Sequence, residues 1–181
     1  IVATSLGLGS CWMGGTFRRA SFARRIGVLE DEVVPAVSPI GYARENRSVM
    51  DGLFRRFAGS DERKPWDELF FDGGMTAPLS KDDAGGYATA LECVRLGPSA
   101  SNNQPWRIVR QENDSFDFFL KRTPGYDKLM RSVDLQLVDM GIALCHFELA
   151  ARETGIAGRW EEAKPGFDAG NAEYVLSWKQ S

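Results

Sequence analysis

The sequence holds a single histidine, His146, among its 181 residues. That nearly empties the list of metal sites and of Ser/His or Cys/His catalytic pairs. Cysteine is scarce as well: Cys11, Cys93 and Cys145 are odd in number, far apart and without a C-x-x-C spacing. Such a set excludes a disulfide framework, offers no zinc spacing and fits a reducing, cytoplasmic setting. No stretch approaches the roughly 18 consecutive apolar residues of a membrane span. A basic excess is also missing: 22 Lys and Arg stand against 25 Asp and Glu, a net charge of −3. That argues against a surface built to coat nucleic acid. The chain opens Ile1-Val2-Ala3-Thr4-Ser5-Leu6-Gly7, without Met and without the basic start of a signal peptide. It reads as the last turns of a helix stopped by Gly7, so further residues are expected upstream of Ile1.

What is present is an ordinary globular composition, 43% hydrophobic and 26% charged. The length suits one domain, or one and a half, and is enough to bury a core without staples. Residues 8–17 form a glycine-rich loop, and Arg18 to Gly27 is a short basic helix. Glu32 to Ile40 reads as a strand, confined to an edge or bulged because Pro35 cannot donate to a ladder. Asn46 to Phe57 reads as a polar helix. Ser80 and Asp83 have the spacing of a capping box, and the helix after them carries Tyr87, Ala88, Leu91 and Val94, then stops at Gly97-Pro98. Trp106 to Gln111 and Phe116 to Lys121 are strands of a hairpin. Met130, Val133, Leu137, Met140, Leu144 and Phe147 recur at steps of three and four. With Leu135, Ile142 and Leu149 on the other faces, that helix is expected to be buried nearly all round. Gly155 ends it, and Glu173 to Trp178 is a final strand.

One pattern occurs twice. Ala3-Thr4-Ser5-Leu6-Gly7-Leu8-Gly9-Ser10-Cys11-Trp12 aligns with Ala151-Arg152-Glu153-Thr154-Gly155-Ile156-Ala157-Gly158-Arg159-Trp160. Each copy is followed by a strand starting at a glutamate, Glu32 or Glu173. A duplication would let one chain supply both halves of something that could be a symmetric dimer.

The chemistry-bearing residues are few. Gly7-Leu8-Gly9 is no dinucleotide fingerprint, because Trp12 stands where the third glycine is required and a helix, not a strand, precedes it. Gly14-Gly15 would let backbone lie flat against a ligand. Ser99-Ala100-Ser101-Asn102-Asn103-Gln104 is either a solvated loop or a hydrogen-bonding cradle for a polar heterocycle. Arg63 and Lys64, with Arg47, Arg55 and Arg56, could grip a phosphate, or they could be a solvated charged face. His146 reads as a satisfied core residue, and the cysteines read as buried small hydrophobes. With general acids, bases and nucleophiles so sparse, an enzyme of this sequence would leave its chemistry to a bound cofactor.

Four segments resemble the nitroreductase family of flavin enzymes. Pro98-Ser99-Ala100-Ser101-Asn102-Asn103-Gln104-Pro105-Trp106 resembles the family's PS-x-x-N-x-QPW loop, its most specific motif. Leu6 to Gly15 resembles the glycine-rich loop over the flavin, Pro39-Ile40-Gly41-Tyr42 its LGYP segment, and Arg63-Lys64-Pro65 its basic phosphate-reaching end. The resemblance implies an α+β nitroreductase-like fold, an antiparallel-rich sheet flanked by helices. In most members the PS-x-x-N loop precedes the glycine-rich loop; here it follows. That order implies two half-units in one chain, residues 1–71 and residues 72–181, and a monomer with an internal pseudo-dimer.

The resemblance also implies an FMN cofactor, NAD(P)H as hydride donor, and a nitroaromatic, quinone or similar small aromatic acceptor. The cofactor-binding set it implies is Trp12, Met13, Gly14, Gly15, Arg63, Pro98, Ser99, Ala100 and Asn102. In that set a backbone N–H of Gly14 or Gly15 neighbours the flavin ring, Ser99 and Asn102 meet the ring edge or ribityl chain, and Arg63 meets the phosphate. No catalytic side chain or metal ligand is expected. The family's N-terminal arginine-rich segment is absent, and Gly158-Arg159-Trp160-Glu161-Glu162 of the second copy lacks the double glycine, so a second site is expected to be degenerate. Two other readings remain: a non-catalytic relative that lost flavin and serves as a binding or structural protein, and an enzyme using Cys11 or Cys145 as nucleophile.

Overall fold

The computed structural model describes residues 1–15, 17–29, 31–43, 62–126, 133–163 and 165–181. It divides into two compact units, one of Ile1–Ser60 with Gly125–Leu135, the other of Asp61–Pro124 with Gln136–Ser181.

The first unit begins with one short helix, α1 (Val2–Ser5), closed by Gly7 at φ 73°. The Gly7 N–H donates to the Thr4 carbonyl (3.0 Å) and the Leu8 N–H to the Ala3 carbonyl (2.8 Å). This pair of bonds is the Schellman stop, which needs the left-handed conformation that glycine adopts without a Cβ clash. Strand β1 (Gly9–Ser10) then pairs antiparallel with β2 (Ile40–Gly41), and the same register continues to a bridge between Met13 and Val37. Between them lies the basic helix α2 (Arg19–Ile26), ended by Gly27 at φ 70°. The strand expected over Glu32 to Ile40 is realised only at Val37 and Ile40, since Pro35 and Pro39 each withdraw a ladder donor. Neither α1 nor α2 buries a residue. The expected helix over Asn46 to Phe57, with Arg47, Arg55 and Arg56, lies outside the described residues.

The second unit carries the core. Strands β3 (Phe70–Asp72), β4 (Trp106–Arg110), β5 (Phe116–Leu120), β6 (Gly158–Glu161) and β7 (Glu173–Gln180) form a sheet in the order β3-β4-β5-β7-β6. Only the β3–β4 pairing is parallel. The sheet is therefore antiparallel-rich, as the resemblance implies. Strand β6 has no counterpart among the strands read from the sequence. Its four residues mix Gly, Arg, Trp and Glu, so neither alternation nor an apolar run marks it.

Two helices pack with the sheet in the core: α3 (Ala88–Leu96) and α4 (Leu135–Glu153). Ser80 does cap, its Oγ accepting the Asp83 N–H at 3.0 Å. Regular α-helix nevertheless starts only at Ala88, after a 3-10 turn over Gly85–Tyr87. Gly85 sits there at φ 52°, outside the helical region. At the other end Gly97 leaves α3 extended (φ −57°, ψ 148°) and not left-handed, as the following Pro98 requires.

Helix α4 corrects a second expectation. It is not buried all round: Leu137 is 49% and Leu149 43% exposed. Its buried face is Met140, Ala143, Phe147 and Ala151, a single stripe at steps of three and four. Met130 falls outside the described residues. The stripe meets Leu91 and Val94 of α3 and Trp106, Ile108, Phe116, Phe118 and Trp178 of the sheet in one apolar cluster. Among the described residues, no helix is long and apolar enough to cross a membrane.

The two copies of the repeated pattern close in the same way. After α4, Gly155 (φ 81°) donates to the Arg152 carbonyl at 3.0 Å and Ile156 to the Ala151 carbonyl at 2.8 Å. A strand follows in each, antiparallel to the strand that ends its own segment: β1 with β2, and β6 with β7.

Candidate functional site

The polar loop Ser99–Gln104 is built by its own unusual backbone. Ser101 (φ 51°), Asn102 (φ 53°) and Gln104 (φ 46°) are left-handed without being glycine. Each such residue costs about 1 kcal/mol or more unless its surroundings hold it. Here they do. The Ser99 Oγ accepts the Gln104 N–H (2.9 Å), and the buried Asp139 carboxylate of α4 accepts the Ala100 N–H (2.9 Å).

Arg63 comes to this loop from far away in sequence. Its Nη1 donates to Asn102 Oδ1 (3.4 Å, 39 positions apart), and its Nη2 to the Leu96 carbonyl (3.3 Å). Asn102 Nδ2 donates to the Glu62 carbonyl (2.9 Å). Gln104 joins the two strands of chain: Oε1 accepts the Lys64 N–H (2.8 Å), and Nε2 donates to Asn102 Oδ1 (3.1 Å). Arg107, 8% exposed, donates to the Trp106 (2.6 Å) and Gln104 (3.2 Å) carbonyls. The neighbourhood is thus rich in positive charge. Burial, and next the Arg107 guanidinium, push the Lys64 ammonium below its usual pKa. Burial also lowers the pKa of Arg107.

Of the residues singled out in sequence, Arg63, Ser99, Ala100 and Asn102 stand in this one cluster, and Pro98 is exposed at its edge. The cluster contains two residues the resemblance did not assign. Gln104 is 2% exposed and ties the loop to residues 62–64, and Asp139 orders the loop's first turn. Gln104 had a signal in the QPW part of the motif. Asp139 had none, because its partner lies 39 positions away.

Trp12, Met13, Gly14 and Gly15 lie in the other unit, on the turn after β1. Trp12 is 57% exposed and Gly15 exposed. Met13 exchanges two backbone hydrogen bonds with Val37 (2.9 and 3.0 Å), and the Gly14 carbonyl accepts from Arg19 Nη2. A Cβ on Gly14 would come within 2.7 Å of the Leu135 side chain. Among the described residues, the N–H groups of Gly14 and Gly15 donate no hydrogen bond.

His146 behaves as a satisfied structural residue: its Nδ1 lies 3.1 Å from the Cys93 carbonyl. The cysteines depart from expectation. Cys11 and Cys145 are exposed and Cys93 is half-buried, all three as free thiols. Cys145 follows Leu144 on the side of α4 turned from the buried stripe, which the stripe's phase decides and a count of apolar residues cannot.

The family model described as "Putative TM nitroreductase" matches residues 1–151. No curated protein matches the chain. A crystal structure of a protein described as a putative nitroreductase from Thermotoga maritima is similar in fold, with a TM-score of 0.58 at 21% sequence identity. The match covers 98% of this chain and 58% of that one, so the chain spans little more than half the length of its solved relative.

Proposed function

This chain belongs to the TM nitroreductase family, and on that premise we propose that it is the flavin-binding part of an FMN-dependent oxidoreductase. The reaction class is that of the nitroreductases: hydride from NAD(P)H to FMN, then to a nitroaromatic, quinone or similar small aromatic acceptor. When bound, FMN supplies the redox chemistry, which accords with the scarcity of acids, bases and nucleophiles in the chain.

The observation that carries the reading is the cluster of Arg63 and Asn102 on the left-handed loop, in an environment of positive charge. Its donors fit a phosphorylated polyol: guanidinium for the phosphate, amides and hydroxyls for the ribityl chain. Among the described residues Asn103 Nδ2 is buried with no hydrogen-bond partner, a donor that an acceptor on a ligand would satisfy. In this proposal Arg63 binds the phosphate, and Ser99, Ala100 and Asn102 hold the ribityl chain or ring edge. Pro98 shapes the loop's entry. Trp12, Met13, Gly14 and Gly15 join the set on the resemblance, with the Gly14 or Gly15 N–H as donor to the ring. The two half-units, residues 1–71 and 72–181, and a monomeric state belong to the same proposal. The matching hydrogen bonds after Gly7 and Gly155 support them. Free cysteines suit a cytoplasmic setting.

The test is a titration of the purified protein with FMN and, separately, with riboflavin, which lacks the phosphate. Flavin absorbance should travel with the protein. Arg63→Ala should weaken FMN about tenfold or more, the worth of a charge-assisted bond, and leave riboflavin nearly unchanged. Equal weakening of both ligands would remove Arg63 from the phosphate. No uptake of either would overturn the flavin reading in favour of the non-catalytic one.

A further inference from the structure

The repeated pattern supplies the chain with two loops of common design, and their backbones can be compared position by position. Met13 bridges Val37 in the ladder that contains β1 and β2. In the other copy Glu161 pairs with Ser177 in the ladder of β6 and β7. The sequence alignment that places Trp12 on Trp160 places Gly14 on Glu162 and Gly15 on Ala163.

At these positions the copies diverge. The Gly15 N–H donates no hydrogen bond among the described residues. The Ala163 N–H donates to the Tyr174 hydroxyl at 2.8 Å. That hydroxyl is itself held: it lies 2.9 Å from Ser177 Oγ, which donates to the buried Asp117 carboxylate at 2.5 Å. The other ligand-facing features are also spent. Trp160 is turned into the aromatic cluster, 5.1 Å from both Phe118 and Trp178, with its Nε1 donating to Glu148 at 2.9 Å. Glu161 lies between Lys179 (2.5 Å) and Arg159 (3.5 Å) and is a carboxylate where the first copy has Met13.

We infer that the Tyr174 hydroxyl is an internal substitute for a ligand in the second copy, anchored by Ser177 and Asp117, and that the chain consequently binds one flavin and not two. The inference rests on the flavin reading of the first copy. The Tyr174 oxygen accepts from the Ala163 amide as a ligand's ring atom would, and it is tethered by a side chain, so no free ligand competes with it on equal terms. Glu162, where the first copy has Gly14, places a carboxylate that adds repulsion toward an anionic phosphate.

Two measurements on the whole protein test this: the saturating ratio of flavin to chain from absorbance, and amide hydrogen exchange with and without FMN. The expected result is a ratio of one. Exchange should slow on FMN binding in the peptide carrying Gly14 and Gly15. The peptide carrying Ala163 should be slow already and stay unchanged. Tyr174→Phe should speed exchange at Ala163 while the ratio stays at one. A ratio of two, or FMN-dependent protection around Ala163, would overturn the substitute but leave the flavin reading standing. A ratio of zero would overturn both.

Discussion

Trp12 and Trp160 occupy the same place in two copies of one local pattern, and their surroundings have little in common. Up to the glycine the copies agree bond for bond: Gly7 and Gly155 are left-handed, and each is followed by the same backbone closure onto the helix just ended. Beyond it Trp12 stands 57% exposed, while Trp160 packs on Phe118, Phe147 and Trp178. The difference teaches where local coding stops. A helix stop is completed by residues three to five apart. The fate of a tryptophan depends on what other parts of the chain bring to it.

Breaking the tryptophans should show the largest contrast. Trp160→Ala should cost about 3 kcal/mol, since it leaves a void in an aromatic cluster. Trp12→Ala should stay within about 0.5 kcal/mol, as an exposed side chain with no packing role. Denaturant unfolding of both variants measures the pair, and similar losses would erase the distinction between a structural copy and a presenting one.

A smaller contrast sits two residues earlier. Gly158 lies against Trp178, and a Cβ there would also come within 2.6 Å of the Lys179 carbonyl. Gly158→Ala should cost about 2 kcal/mol through overpacking. At the aligned position of the first copy Ser10 is exposed, and Ser10→Ala should be nearly neutral. Thermal unfolding would sharpen or blunt the comparison in the same way.

The smallest effect concerns the anchor of Tyr174. Burial raises the Asp117 pKa, and the Ser177 hydroxyl only partly opposes it. The folded chain therefore holds this proton to higher pH than the unfolded chain does. Asp117's contribution to stability is greatest below the ordinary carboxylate range and falls as pH rises through its raised pKa. Asp117→Asn should flatten that part of the profile. A variant with the wild-type slope would show that Asp117 does not carry it. Glu92 and Glu161, whose pKa values are lowered by Arg95 and Lys179 respectively, contribute with the opposite sign. They are untouched in the variant, so the difference between the two profiles isolates Asp117.

Much of the second unit was legible in the sequence. The β4–β5 hairpin, β7, the glycine stops and the Ser80 cap follow from turn chemistry and apolar patterning. The candidate loop was legible as a motif. Missing from that reading were β6, the short strand β3, the phase of the α4 stripe and the exposure of Cys11 and Cys145. The first has four residues with no pattern of their own. The α4 stripe was misplaced because Leu135, Ile142 and Leu149 made every face look apolar, and hydropathy cannot say which face meets the sheet. Asp139 was silent as a positioning group because its partner, the Ala100 N–H, is 39 positions away.

By itself the sequence settled what short-range geometry settles: where α1, α2, α3 and α4 stop, that β4, β5 and β7 are strands, and which loop is polar. Tertiary structure alone decided that Arg63 meets Asn102, that Tyr174 meets Ala163, and that one tryptophan of a matched pair is packed and the other is not. The reason is physical. A cap is stabilised by neighbours along the chain, whose placement the backbone dihedrals fix. A hydrogen bond across dozens of residues exists only after the sheet and α4 have brought its two ends together.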